Sequence, residues 1–95
     1  MKNLFYKFFI LRATVKSMFY CYLLESRLDK SWYIGFSKDL KSRFLSHNKG
    51  ENKATKNKKP WNLVYYEAYA NQLDAKKREK LLKSGSGRKF LKKQM

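Results

Sequence analysis

The chain has 95 residues, 43% hydrophobic and 17% aromatic, enough for one small core and too few for separate catalytic and targeting domains. Its one cysteine, Cys21, and one histidine, His47, exclude a disulfide scaffold and a zinc module. With 23 Lys and Arg against 7 Asp and Glu, the net charge of +16 points to a polyanion, either nucleic acid or an anionic membrane surface, while the aromatic content excludes a disordered basic tail.

Residues 1–17 carry Lys2, Lys7, Arg12 and Lys16 and no acid. Their apolar run, Phe8 to Leu11, is too short for the core of a signal peptide, roughly 7 to 15 residues. Nothing in the chain approaches the roughly 20 apolar residues of a membrane span. Two readings stay open for this segment: a dispensable extension, with Met18 as a functional start, or a basic amphipathic anchor. Without it the remaining chain is still at +12, and a domain over 18–95 in the cytoplasm is expected.

From Met18 the pattern predicts a strand over Phe19 to Leu24, a polar turn, and a second strand over Ser31 to Phe36 that pairs with the first as a hairpin. Period-two alternation places Tyr20 and Tyr22 on one face with Tyr33 and Gly35, and Phe19, Cys21, Leu23, Trp32, Ile34 and Phe36 on the other. Ser37 is a candidate cap for a helix from about Asp39 to His47, with Leu40, Phe44 and His47 on one side. A lysine-rich loop runs from Asn48 to Lys59, and Trp61 to Tyr69 forms the third strand. Asn71 with Asp74 opens a helix through about Lys83, ended by Gly85, and Ser86 is a candidate cap for a last helix carrying Phe90 and Leu91. The order β-β-α-β-α-α predicts an α+β domain, a small three-stranded antiparallel sheet flanked by helices.

Two phenols, a guanidinium and a carboxylate suited to phosphodiester hydrolysis fall in order along these elements. The hairpin presents Tyr22 and Tyr33 together, and Gly35, lacking Cβ, leaves room beside them. Arg43 and His47 are four apart on one helix, where Arg43 can grip a phosphate bidentately. Each residue also has a plainer reading: Tyr22 and Tyr33 as strand aromatics, His47 as a packed edge residue, Arg43 as one more surface cation, and Glu79 as a partner of Lys83. Glu79 is nevertheless the one acid among nine Lys and Arg from Ala75 onward, on the helical side shared by Ala75 and Leu82.

Tyr20-Cys21-Tyr22, then Tyr33-Ile34-Gly35, then Arg43, His47 and Glu79 resembles the GIY-YIG nuclease superfamily over residues 18–95, most of all small stand-alone members related to the N-terminal nuclease domain of UvrC. The first motif departs from the pattern, with Tyr20 and Cys21 in place of Gly and Ile, and no Asn follows Asn71, where larger members carry one after the metal-binding Glu. The resemblance implies a metal-dependent endonuclease acting on DNA, with RNA left open, in repair or recombination. It also implies a divalent cation, magnesium above all, on Glu79, Tyr22 as general base, and Arg43 offsetting transition-state charge. The alternative is a catalytically silent nucleic-acid-binding module of the same fold. Lys38, Lys56, Lys58, Lys59 and Lys76 are the candidate phosphate contacts, since a nuclease must neutralise the backbone it cuts.

Overall fold

A computed structural model describes residues 18–95, so the expectations for residues 1–17 lie outside the described residues. Three strands, β1 (Phe19–Ser26), β2 (Trp32–Ser37) and β3 (Trp61–Tyr69), form an antiparallel sheet in the order β2-β1-β3. The helices are α1 (Leu40–Lys49), α2 (Gln72–Leu82) and α3 (Gly85–Gln94), and a single 3-10 turn, Lys56–Lys58, interrupts the lysine-rich loop. The element order is the expected one. Among the described residues no helix is long and apolar enough to cross a membrane.

The two faces of the sheet bury different cores, as the alternation predicts. Cys21, Leu23, Ile34 and Tyr65 pack with Ala75 and Leu82 of α2 and Leu91 of α3. On the opposite face Tyr22, Leu24 and Trp61 pack with Tyr33, Leu63, Tyr66 and, from α1, Leu40 and Phe44. Leu24 and Leu91 are completely buried, and each such side chain stabilises the fold by about 1.5–3 kcal/mol. Strand β3 switches the face of its odd-numbered residues where its register slips opposite Leu23 and Leu24, which face Tyr65 and Leu63 and leave Val64 as an extra residue.

The helix caps differ from expectation at two ends. Asp39, not Ser37, caps α1 by accepting from Ser42 N at 3.1 Å, and Ser37 Oγ instead accepts from Asp39 N at 2.9 Å. Asn71 caps α2 as expected, accepting from the amides of Leu73 and Asp74. Gly85 does not end a segment; it begins α3, whose cap is Ser84 and not Ser86. The reason is a tight corner between the helices. A Cβ on Gly87 would lie 2.5 Å from Leu82 Cα, so only glycine allows the first turn of α3 to close onto the end of α2.

Candidate active site

The site begins with the pairing of β1 and β2, which sets Tyr22 directly opposite Gly35. The phenol of Tyr22 lies flat across that glycine. A Cβ at position 35 would sit 2.5 Å from Tyr22 Cζ and closer still to the hydroxyl. Gly35 is therefore a structural requirement of the site, and it lets the ring of Tyr22 reach the last turn of α1, where it meets His47. The Tyr22 hydroxyl is 2.9 Å from His47 Nε2, and both residues are buried, at 2% and 0% exposure. Tyr33, half-buried two residues from Gly35 on the same strand face, packs its ring 5.1 Å from the imidazole and 6.4 Å from Tyr22.

The contact at the other imidazole nitrogen fits the proton order assigned to the pair. His47 Nδ1 lies 2.7 Å from Thr55 Oγ1, and Thr55, itself fully buried, has the Asn52 carbonyl at 3.5 Å as acceptor for its own hydroxyl proton. Arg43, the charged neighbour, offers only donors, so the phenol proton of Tyr22 goes to Nε2. His47 is then the Nδ1–H tautomer, donating to Thr55. Thr55 reaches this position because the loop is stapled at both ends. Trp61 Nε1 donates to the Thr55 carbonyl at 3.0 Å, and Asn48 of α1 exchanges two hydrogen bonds with the backbone of Trp61, at 2.6 and 3.1 Å. Sequence reasoning missed Thr55, for it lies in a loop whose composition reads only as basic.

Burial pushes the Tyr22 phenol up to about 12, helped by Tyr33 and by the negative charge of Glu79 and opposed by the adjacent Arg43 guanidinium. Burial, reinforced by Arg43, holds His47 below its ordinary value of 6.5. At neutral pH the pair is thus an uncharged phenol donating to an uncharged imidazole. Arg43, one turn before His47 on α1, is exposed, yet its guanidinium acts on the Tyr22 phenol as a charge and a hydrogen-bond donor and on His47 as a charge.

Glu79 comes from the other face, on α2. Its charge is felt by both Cys21 and Tyr22, its side chain is 22% exposed, and it pairs with Lys83 Nζ at 2.9 Å. Glu79 thus faces partly inward and also pairs along the helix, as the plainer sequence reading expected. No group of three or more His, Cys, Asp and Glu that could hold a metal occurs among the described residues. A lone, partly open carboxylate suits magnesium, which keeps several waters and takes one or two carboxylates plus substrate phosphate. It does not suit zinc.

Four of the candidate phosphate contacts, Lys38, Lys56, Lys59 and Lys76, are exposed. Lys38 and Lys76 lie over the rings of Phe19 and Phe36, at 6.0 and 5.2 Å. Lys58 is exposed too, and its ammonium pairs with Asp29 at 3.3 Å, so it offers less charge to a ligand than its neighbours.

Residues 18–93, which hold all of these groups, match the sequence pattern described as the GIY-YIG catalytic domain. The chain belongs to the GIY-YIG family. Among its relatives is UPF0213 protein SSP2268 of Staphylococcus saprophyticus, 39% identical over 74 residues, which span 77% of this chain and 89% of that protein. A UPF0213 protein of Streptococcus pneumoniae is 40% identical over 67% of this chain and 65% of its own length, and one from Staphylococcus aureus is 41% identical over 66% and 78%. No solved structure matches. Membership implies a nuclease-type function on nucleic acid, and GIY-YIG nucleases are generally dependent on a divalent metal.

Proposed function

We propose that this GIY-YIG protein is a metal-dependent endonuclease that hydrolyses phosphodiester bonds in DNA, in the cytoplasm and in a repair or recombination setting, as the UvrC-like motif set suggests. The observation that carries the reading is the buried chain from Tyr22 through His47 to Thr55. A phenol pushed up to about 12 is a poor base on its own, but one that donates to a neutral imidazole can take a proton from water while passing its own to Nε2. Charge then develops on His47 and not on Tyr22, and Thr55 Oγ1 accepts from the imidazolium Nδ1–H at 2.7 Å. Arg43, whose guanidinium neighbours the phenol, would offset the phosphate charge electrostatically, as a guanidinium beside an oxyanion does. Glu79 is the residue that would hold the divalent ion, which when bound offsets charge on the scissile phosphate and the leaving oxygen. Lys38, Lys56, Lys59 and Lys76 would meet the backbone, which makes binding steep in salt and nearly blind to sequence.

Two observations favour the second reading, a silent binding module: Tyr22 is 2% exposed, and Glu79 already has a cation partner in Lys83. Incubation of labelled branched, nicked and single-stranded substrates with magnesium and with a chelator separates the two. Cleavage that needs the metal and falls about 100-fold or more in Tyr22→Phe is the expected result; binding without any cleavage would leave the module reading standing.

A further inference from the structure

The face of the sheet that does not carry the phenols holds a second polar network, and the motif set uses none of it. Glu67 lies on β3 opposite Cys21 and is buried, at 6% exposure. Its carboxylate takes four donors: Tyr65 Oη at 2.5 Å, Tyr69 Oη at 2.6 Å, and Arg78 Nε and Nη2 at 2.8 and 3.0 Å. Burial works against its charge, but Arg78 and the two phenols outweigh that and keep the carboxyl below its ordinary range. The guanidinium of Arg78 is held in turn 4.9 Å from the ring centre of Phe90 on α3. A bidentate fork of this kind fixes direction as well as distance.

Arg78 is the residue next to Glu79. On a helix of 3.6 residues per turn, neighbours point about 100° apart, so a helix rotation that seats Arg78 on Glu67 also decides where Glu79 points. The apolar grip on α2 is slight, for Ala75 and Leu82 are its two buried residues, and alanine offers little shape to resist rotation. A second polar pin lies one turn away, where the Cys21 thiol donates to the Ala75 carbonyl at 2.8 Å. With Arg78 turned toward β3, Glu79 faces the side from which its charge reaches Cys21 and Tyr22.

We propose that Glu67 is a positioning residue for the metal-binding carboxylate: through Arg78 it sets the rotation of α2 that aims Glu79 at the phenol site. The proposal rests on the reading of Glu79 as the metal ligand, and it assigns a task to a buried acid that touches neither substrate nor ion. Groups that orient a metal ligand typically account for 10- to 100-fold in metal affinity or activity.

Two variants test it. Glu67→Gln removes the charge that holds the fork, and Arg78→Lys keeps the positive charge beside Glu79 while removing the bidentate geometry. Manganese binding is read by loss of the free-ion paramagnetic resonance signal, with a phosphorothioate oligonucleotide present, alongside the magnesium concentration giving half-maximal cleavage. Both variants are expected to weaken manganese binding about 10-fold or more and to raise the magnesium requirement in parallel. Saturating magnesium should restore much of the cleavage, and metal-free affinity for the oligonucleotide should stay within about twofold. Ile34→Val, a mild change in the same core, controls for simple loosening and should leave the magnesium requirement alone. If Glu67→Gln does not fold, Arg78→Lys decides alone. Wild-type manganese affinity in a folded Arg78→Lys protein, with binding lost in Glu79→Gln, overturns the positioning role and leaves Glu79 as ligand. Unchanged binding in Glu79→Gln overturns the metal site itself, and the proposal with it.

Discussion

Replacing Gly35 by alanine tests the site at its tightest contact. The added methyl would lie 2.5 Å from Tyr22 Cζ, where real carbon contacts begin near 3.5 Å, so something must move by roughly an ångström. Gly35 stands on the edge strand β2, but its pairing with Tyr22 on the central strand β1 holds its backbone in register. The tip of the phenol moves instead, away from His47 Nε2, which it now meets at 2.9 Å. Overpacking of this size costs about 1–3 kcal/mol, and a chain of this length has only about 5–10 kcal/mol in all. Tm should therefore fall by roughly 5–20 °C. Cleavage should fall further than stability accounts for, by about 100-fold or more at a temperature where the variant is folded, because the proton route from Tyr22 is broken. Calorimetry and cleavage assays on Gly35→Ala, Tyr22→Phe and the double variant form a cycle. The ring without its hydroxyl is no longer tied to His47 and can slide from the methyl, so the double variant should be more stable than the sum of the single changes by about 0.5 kcal/mol or more. A Gly35→Ala protein with wild-type Tm and rate would refute the reasoning.

Thr55→Val keeps shape but leaves His47 Nδ1 without its buried partner, which should cost about 1–3 kcal/mol and slow cleavage; an unchanged rate in the folded variant would remove Thr55 from the proton chain. Because folding holds His47 below 6.5, the unfolded chain binds the extra proton. Stability contributed by the neutral imidazole is thus complete above pH 6.5 and declines as pH falls from there toward its folded value, a decline that His47→Gln should flatten in pH-dependent melts. Glu79→Gln should abolish magnesium-dependent cleavage while metal-free affinity for DNA holds or rises, since breaking its pair with Lys83 costs only about 0.3–0.5 kcal/mol; wild-type cleavage would exclude the metal role. Changing Lys56 and Lys59 together to alanine should flatten the salt dependence of binding by about 0.9 for each duplex phosphate that the variant no longer neutralises, read from affinities over a salt series.

The two phenols, the glycine, the histidine and the faces they share were legible because hairpin alternation has a period of two and the spacing of each motif lies within one element. The helix order was legible too. Position along β3 was harder. Simple alternation from Trp61 would put Trp61, Leu63, Tyr65, Glu67 and Tyr69 on one face, but the extra residue at Val64 sends Trp61 and Leu63 to the α1 side and Tyr65 to the other. An acid flanked by tyrosines at two-residue spacing on both sides is a readable signal of a buried carboxylate, yet its partner Arg78 is eleven positions away and looks like any other cation in a chain at +16. The caps went unread because neighbouring polar residues offer chemically equal choices: at α3 the close approach of Gly87 to Leu82 decides for Ser84, and at α1 Ser37 is taken up by the Asp39 amide, which leaves Asp39 to cap.

Cys21 gives this protein an internal clock. It is the chain's single thiol, 1% exposed and beneath α2, and burial pushes it up to about 12, so while the helix is seated it is neither ionised nor within reach of a reagent. A thiol reagent can react only in the moments when α2 lifts from the sheet. The pace of labelling therefore counts the openings of the segment that bears Glu79, with no engineered probe. The same shelter leaves the thiol untouched by cellular oxidants for as long as that helix stays down.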